Sequence, residues 1–101
     1  MSLFFNLYRK RGFGLTLELL EKCKDHKAKE SDFFQTLKDN ESYLNEFYRV
    51  KKDLLNHQLI EYTLDDNYDK VIALTKKGEE VLDKINAIEV FLGDNESKAK
   101  K

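Results

Sequence analysis

The chain has 101 residues and a formal net charge of −1, and 37% of its residues are charged, against about 25% in typical proteins. This length corresponds to one domain, and the absence of proline excludes collagen-like and proline-rich proteins. A single cysteine, Cys23, excludes an intramolecular disulfide framework, and no apolar run approaches the roughly 18 residues of a membrane span. We therefore expect a soluble, cytoplasmic protein.

The chain begins with an apolar and basic segment, residues 1–14. Residues 3–11 have the spacing of a short helix with cations in its last turn, where they suit the helix dipole. Gly12 and Gly14 are predicted to interrupt the helical pattern. Apolar residues at helical spacing then predict a second helix over residues 15–24.

A pair of helices joined by a short turn is predicted in the middle of the chain. Residues 25–30 are charged, lack periodicity and are predicted to form a loop. Ser31 and Asp32 look like a helix start, and Gln35 stands three residues beyond Asp32, as in a capping box. After a turn, a longer helix is predicted over residues 41–57.

A β-hairpin and a last helix are predicted in the remainder of the chain. Residues 60–75 are rich in strand-forming residues on both sides of a polar cluster at residues 65–69, which predicts a turn of about five residues. Thr75 is predicted to cap the last helix, and Gly93 to end it.

The order of these elements predicts the architecture. Two helices joined by a short turn form a helix-turn-helix, and the hairpin that follows makes such a unit winged. We expect a mainly α protein with a small β-hairpin (α+β), built as a three-helix core with a wing and a C-terminal helix. This winged helix-turn-helix domain is predicted over residues 15–92, followed by a flexible polar tail at 93–101.

The second helix of the pair has an outward face that suits nucleic acid. At 100° per residue, five polar side chains fall in one arc of the helix surface. Arg can bridge two acceptors of guanine, and Asn can bridge adenine, whereas a Lys more naturally meets a phosphate. The residues predicted to contact bases are Ser42, Asn45, Arg49 and Asn56, and Lys52 is predicted to contact a phosphate. A solvated helix face is the alternative interpretation of this pattern.

The second half of the chain resembles winged helix-turn-helix DNA-binding proteins, a group that includes the MarR, ArsR and PadR regulators and small archaeal winged-helix proteins. The matching stretch reads LLNHQLIEYTLDDNYDKVIALTKKGEEVLDKI. Its most specific piece is Leu-Thr, two residues and Gly at residues 74–78. The resemblance covers residues 15–92 and implies a sequence-specific double-stranded DNA-binding protein that regulates transcription.

Two positions depart from the pattern of this group. Gln58 stands where the group usually has a glycine in a left-handed helix end, a conformation uncommon for other residues. The wing tip carries Asp65, Asp66 and Asp69 beside a single cation, Lys70, and carboxylates repel a duplex. A protein-protein interaction module that does not itself bind DNA is therefore the alternative function.

Further cations and apolar residues complete the predicted surfaces. The residues predicted to hold phosphates, besides Lys52, are Lys70, Arg9, Lys10 and Arg11. The resemblance implies a homodimer, because terminal helices pair two subunits in ArsR- and MarR-like proteins. The residues predicted at the dimer interface are Leu3, Phe4, Leu7, Ile85, Ile88, Phe91 and Leu92. Packing of both terminal segments on the chain's own core is the alternative interpretation. Such a dimer would present two recognition helices about 34 Å apart to a palindromic site.

No pattern in the sequence indicates catalysis or a metal site. Cys23, His26 and His57 fall short of the four ligands of a structural zinc site, and Cys23 lies on an apolar stripe. No Ser/His/Asp or Cys/His grouping is evident. We expect a protein that is not an enzyme, with no catalytic residues, no metal and no cofactor.

Overall fold

The computed structural model describes residues 3–40 and 44–93 and confirms the predicted mainly helical α+β winged helix. A short 3-10 turn at Lys24–His26 precedes the first strand. The other elements are α1 (Leu3–Tyr8), α2 (Arg11–Glu21), β1 (Lys27–Lys29), α3 (Glu30–Asp39), α4 (Leu44–Asn56), β2 (Ile60–Leu64), β3 (Lys70–Leu74) and α5 (Lys76–Leu92). Residues 94–101, the predicted tail, lie outside the described residues.

The sheet has three antiparallel strands in the order β1-β3-β2. Strands β2 and β3 form the predicted hairpin, with Ile60 opposite Leu74 and Leu64 opposite Lys70. The loop predicted for residues 25–30 is wrong at Lys27–Lys29, which form strand β1. Its sequence, Lys-Ala-Lys, carries no strand pattern of its own, and its conformation comes from pairing with β3.

One apolar core joins the helices to the sheet. Helix α4 contributes Phe47, Val50 and Leu54, all fully buried. The Phe33 ring of α3 meets the Phe47 ring edge-on, with 5.3 Å between centroids, an arrangement favoured by the aromatic quadrupole. Burial of this stripe fixes the rotation of α4 and so decides which of its residues face outward.

Helix α2 begins earlier than predicted, and Gly12 and Gly14 lie inside it. Gly12 is buried against α4, where a Cβ atom would clash with the Glu46 carbonyl oxygen. At Gly14, a Cβ atom would meet no described heavy atom within 4 Å outside the local backbone. Gly12 is therefore a close-packing residue and not the helix breaker that the sequence pattern indicated.

Helix α3 begins at Glu30, one residue before the predicted start. The capping box predicted at Ser31, Asp32 and Gln35 is wrong, because Ser31 and Asp32 already lie within the helix. Gln35 instead donates a hydrogen bond from Nε2 to Asp39 Oδ1, at 3.1 Å. The described part of α4 starts at residue 44, so the first predicted turn of that helix lies outside the described residues.

Helix α4 ends in a left-handed turn at Gln58, whose φ is 62°. The Gln58 amide donates to Leu55 O at 3.0 Å, and the Leu59 amide donates to Leu54 O at 2.9 Å. These two bonds form a Schellman motif. Gln58 thus adopts the left-handed backbone conformation that glycine usually provides.

Helix α5 has the two predicted ends. Thr75 Oγ1 accepts a hydrogen bond from the Gly78 amide at 2.9 Å, and Gly93 ends the helix with φ at 88°. A Cβ atom on Gly78 would clash with the Leu59 carbonyl oxygen, which itself accepts from the Thr75 amide. The Leu-Thr-x-x-Gly piece therefore joins the helix cap to a close contact with the end of α4.

Candidate nucleic-acid interface

The outward face of α4 carries amides and cations. The core stripe of this helix turns the opposite side to solvent, and the exposed side chains at the predicted positions are Asn45, Arg49, Lys52 and Asn56. We call these four residues the α4 ridge. Ser42, the remaining predicted base contact, lies outside the described residues. The ridge offers hydrogen-bond donors and acceptors of the type that base edges require.

A basic cavity flanks the ridge on the side of α2. Its lining residues are Arg9, Lys10, Arg11, Gly12, Glu46 and Arg49. The fold thus brings three of the predicted phosphate contacts next to one of the predicted base contacts. Four cationic side chains surround one carboxylate, so the local charge is positive although the chain is nearly neutral.

Arg11 connects three elements at the edge of the basic cavity. Its Nη2 donates to Asn40 O at 3.1 Å, at the end of α3. Its Nη1 lies 3.8 Å from Glu46 Oε1 in the first described turn of α4. The guanidinium therefore offsets the Glu46 charge and helps to fix the angle between the two helices of the pair.

Two carboxylates of the acidic wing tip make contacts within the chain. Asp65 Oδ1 accepts hydrogen bonds from the amides of Asn67 and Asp69, at 2.8 and 3.0 Å. Lys29 Nζ of β1 lies 4.0 Å from Asp65 Oδ2 and 3.5 Å from Asp69 Oδ2. The hydrogen bond from the Asp69 amide, the one from the Asn67 amide and the charge of nearby Lys29 hold the pKa of Asp65 below its usual value. Two of the three aspartates thus stabilise the turn, and Lys29 partly offsets their charge.

A second cavity, which we call the wing cleft, lies between α4 and the hairpin. Its lining residues are Lys51, Tyr62, Thr63, Leu64 and Lys70. Lys70 is exposed at the start of β3, as its predicted role requires. Lys51 was not predicted from the sequence, because it lies outside the outward arc and only the fold brings it beside the hairpin.

Aromatic rings hold Lys51 in the wing cleft. Its Nζ lies 5.5 Å from the Tyr48 ring centroid and 5.1 Å from the Tyr62 ring centroid, within cation–π range. Tyr62 donates its hydroxyl to Glu30 Oε2 at 2.8 Å. Burial, followed by this bond to the Glu30 carboxylate, raises the pKa of Tyr62. Tyr62 therefore contacts Lys51 of α4 with its ring and Glu30, at the start of α3, with its hydroxyl.

The residues predicted at a dimer interface fall into two groups. Leu7 and Ile85 are buried in the chain's own core, so they have almost no exposed area to offer a second subunit. Ile88, Phe91 and Leu92 are exposed near the end of α5, and Phe91 is 88% exposed. The side chains of Leu3 and Phe4 lie outside the described residues.

Cys23 and His26, two of the residues considered for a metal site, make hydrogen bonds within the chain. The half-buried Cys23 donates from Sγ to Leu19 O at 3.2 Å, and burial raises the pKa of its thiol. His26 Nδ1 is hydrogen-bonded to Glu79 Oε2. Within residues 3–40 and 44–93, no three His, Cys, Asp or Glu side chains are grouped so that they could hold a metal ion. No helix in the described ranges is long and apolar enough to cross a membrane.

Comparison with known proteins supports the fold. The crystal structure of a PadR family transcriptional regulator from Eggerthella lenta DSM 2243 matches this chain with a TM-score of 0.61. The match covers 100% of this chain and 95% of that chain, at 19% sequence identity. The two chains share a fold. No family model and no curated protein matches the chain.

Proposed function

We propose that this chain is a cytoplasmic, sequence-specific double-stranded DNA-binding protein that acts as a small dimeric transcriptional regulator. The α4 ridge carries the proposal, because four exposed amide and cationic side chains lie on one helix face with a basic cavity beside it. The solved structure that shares this fold is a transcriptional regulator, which supports a role in gene control.

Base recognition is assigned to the outer side of α4 in the major groove. Arg49 is long enough to bridge guanine O6 and N7, and Asn45 and Asn56 suit adenine. Ser42 keeps its predicted place in this set. A good two-bond contact discriminates between bases by about 1–3 kcal/mol, so two or three such contacts account for a specific site.

Phosphate contacts are assigned to cations beside the ridge. Lys52 extends from the ridge, Arg9–Arg11 line the basic cavity, and Lys70 begins β3. These contacts orient the protein on the duplex without reading its sequence. With a net charge of −1, binding depends on this local patch and not on the charge of the whole chain.

Arg49→Ala tests the proposal directly. On a duplex selected from a random-sequence pool by the wild-type protein, the substitution is expected to weaken binding by about 1–3 kcal/mol and to relax preference at one position. Fluorescence anisotropy measures both quantities. Lys84→Ala is the control, because it removes one exposed cation from α5. Equal affinity of the two variants for the selected duplex would contradict the assignment of Arg49.

A homodimer through the end of α5 forms the second part of the proposal. Ile88, Phe91 and Leu92 present an apolar surface that a second copy would cover, with the recognition helices about 34 Å apart. Ile88→Glu is expected to convert a dimer of 12.0 kDa subunits into monomers in light scattering. Burying a carboxylate without a partner is strongly unfavourable.

Val90→Glu is the matched control for the dimer experiment. Val90 is 55% exposed, against 50% for Ile88, and two positions along the helix places it about 200° away around α5. Its substitution is expected to leave the dimer intact. A wild-type protein that is monomeric at every concentration tested would contradict the dimer and leave the DNA-binding assignment standing.

The alternative function, docking of another protein through the wing, has one observation in its favour. Tyr68 is 82% exposed at the wing tip, where Leu64 is exposed as well. An exposed tyrosine beside apolar surface is typical of protein interfaces. Failure of the wild-type protein to remain on a DNA column at physiological salt would favour this alternative.

A further inference from the structure

We infer that the wing cleft binds a backbone phosphate of the duplex and that Lys51 is its principal contact. The inference rests on the proposed function and adds a residue that neither the sequence pattern nor the likeness to the regulator assigns. Three properties of the cleft support it: its charge, the fixed position of Lys51 and its place relative to the α4 ridge.

The charge of the cleft favours an anion. Its lining includes two lysines and, among the described residues, no carboxylate. The basic cavity, in contrast, includes Glu46. At the hairpin tip, the Asp69 carboxylate lies against Lys29 on the side of β1. A phosphate oxygen in the cleft would meet two ammonium groups and no carboxylate of the lining, while the neighbouring Glu30 carboxylate accepts the hydroxyl of Tyr62.

Lys51 is positioned before any ligand binds. Its ammonium lies over the rings of Tyr48 and Tyr62, so the rotamers of a long side chain are already restricted. A free lysine side chain loses rotamer entropy when it is fixed. Because part of this loss occurs on folding, a phosphate that meets Lys51 gains more of the electrostatic attraction.

The place of the cleft matches the geometry of a helix in the major groove. Around α4, Lys51 lies about 120° to one side of Asn45, while Glu46 lies about 100° to the other side. The wing cleft and the basic cavity therefore flank the ridge on opposite sides. A helix inserted into a major groove has a phosphate backbone on each side, so each cavity faces one strand.

The salt dependence of binding tests the inference. Each phosphate contact adds about 0.9 to the slope of log affinity against log salt concentration. Lys51→Gln is expected to lower this slope by about one contact and to weaken binding to the selected duplex and to a scrambled duplex by the same factor. Lys84→Gln, the control on α5, is expected to keep the wild-type slope.

Two tyrosine variants separate positioning from folding. Tyr62→Phe keeps the ring under Lys51 and removes the hydroxyl bond to Glu30, so the wild-type slope is expected. Tyr62→Leu removes the ring and is expected to weaken binding to both duplexes alike. Circular dichroism melts identify loss of fold in either variant.

The outcomes distinguish this inference from the proposed function. A wild-type slope for Lys51→Gln, in a protein that still selects its duplex, would overturn the inference alone. A wild-type protein that selects no duplex would overturn both. Inorganic phosphate is the second probe: saturable shifts of the Tyr62 ring resonances at millimolar phosphate, together with a wild-type salt slope for Lys51→Gln, would assign the cleft to a small anion and overturn the DNA contact.

Discussion

The two flanks of α4 are built in different ways. On the α2 side, Gly12 lets the backbone of α2 approach the Glu46 carbonyl, and the Arg11 side chain adds an ion pair with Glu46. On the wing side, the contacts are made by side chains: Lys51 over two tyrosine rings, Tyr62 to Glu30, and Lys29 to the wing-tip aspartates. A backbone contact tolerates no added atom, whereas long side chains can adjust. The α2 flank is therefore expected to tolerate less change than the wing flank.

The charge that the wing exposes also differs from the charge that its sequence carries. The wing tip is acidic in sequence, yet Asp65 and Asp69 are turned to backbone amides and to Lys29. The basic cavity at the start of α2 holds a single carboxylate, Glu46, beside four cations. Counting charges along the chain therefore overstates how strongly the wing would repel a duplex.

The largest expected effect on stability comes from adding one methyl group to the α2 flank of α4. Gly12→Ala places a Cβ against the Glu46 carbonyl and forces α2 away from α4. Overpacking of this kind costs about 2–3 kcal/mol of unfolding free energy. Because Arg9–Arg11 lie at the start of α2, weaker duplex binding is expected as well. Urea denaturation followed by circular dichroism measures the loss of stability.

Gly14→Ala is the matched control for this change. The same methyl group is added two residues away in the same helix, where the described residues leave space for it. Alanine is favoured over glycine inside a helix by about 1 kcal/mol, so the control is expected to be more stable than the wild type. Two variants of equal stability would contradict the role given to Gly12.

Local signals in the sequence were sufficient for much of the fold. Thr75 and Gly93 were predicted as helix ends because each acts within its own turn. The hairpin was predicted because Asp and Asn at residues 65–69 favour a turn within that segment. The exposure of Asn45 and Arg49 follows from the apolar spacing of α4, which needs no knowledge of its neighbours.

Features that depend on distant contacts were missed. Strand β1 exists through its pairing with β3, which lies beyond two further helices along the chain. The low helix propensity of Gly12 is local information and predicts a helix break, whereas its close approach to the Glu46 carbonyl is a tertiary contact. Lys51 lies off the outward arc of α4, and its importance depends on Tyr62 of the hairpin. Each of these three features depends on a contact with a residue that is distant along the chain.

The smallest expected effect on stability is at the wing flank of α4. Asp65→Asn removes the charge that accepts the turn amides and faces Lys29, so a modest decrease in melting temperature at neutral pH is expected. The pKa of Asp65 is lowered in the folded chain, so its ionised form stabilises the fold. This stabilisation is fully present above the ordinary pKa of 3.8 and is lost as the pH falls through the lowered pKa.

A pH series of thermal melts therefore distinguishes charge from shape at the wing tip. The difference between the wild type and Asp65→Asn should persist from neutral to mildly acidic pH and vanish once Asp65 is protonated. Asp66→Asn, at the next position of the turn, removes the same charge from an exposed side chain and should show a smaller difference at any pH where Asp65 is ionised. If the two variants behave alike, the turn depends on its net charge, and the acidic wing is an unshielded barrier to DNA on this side of α4.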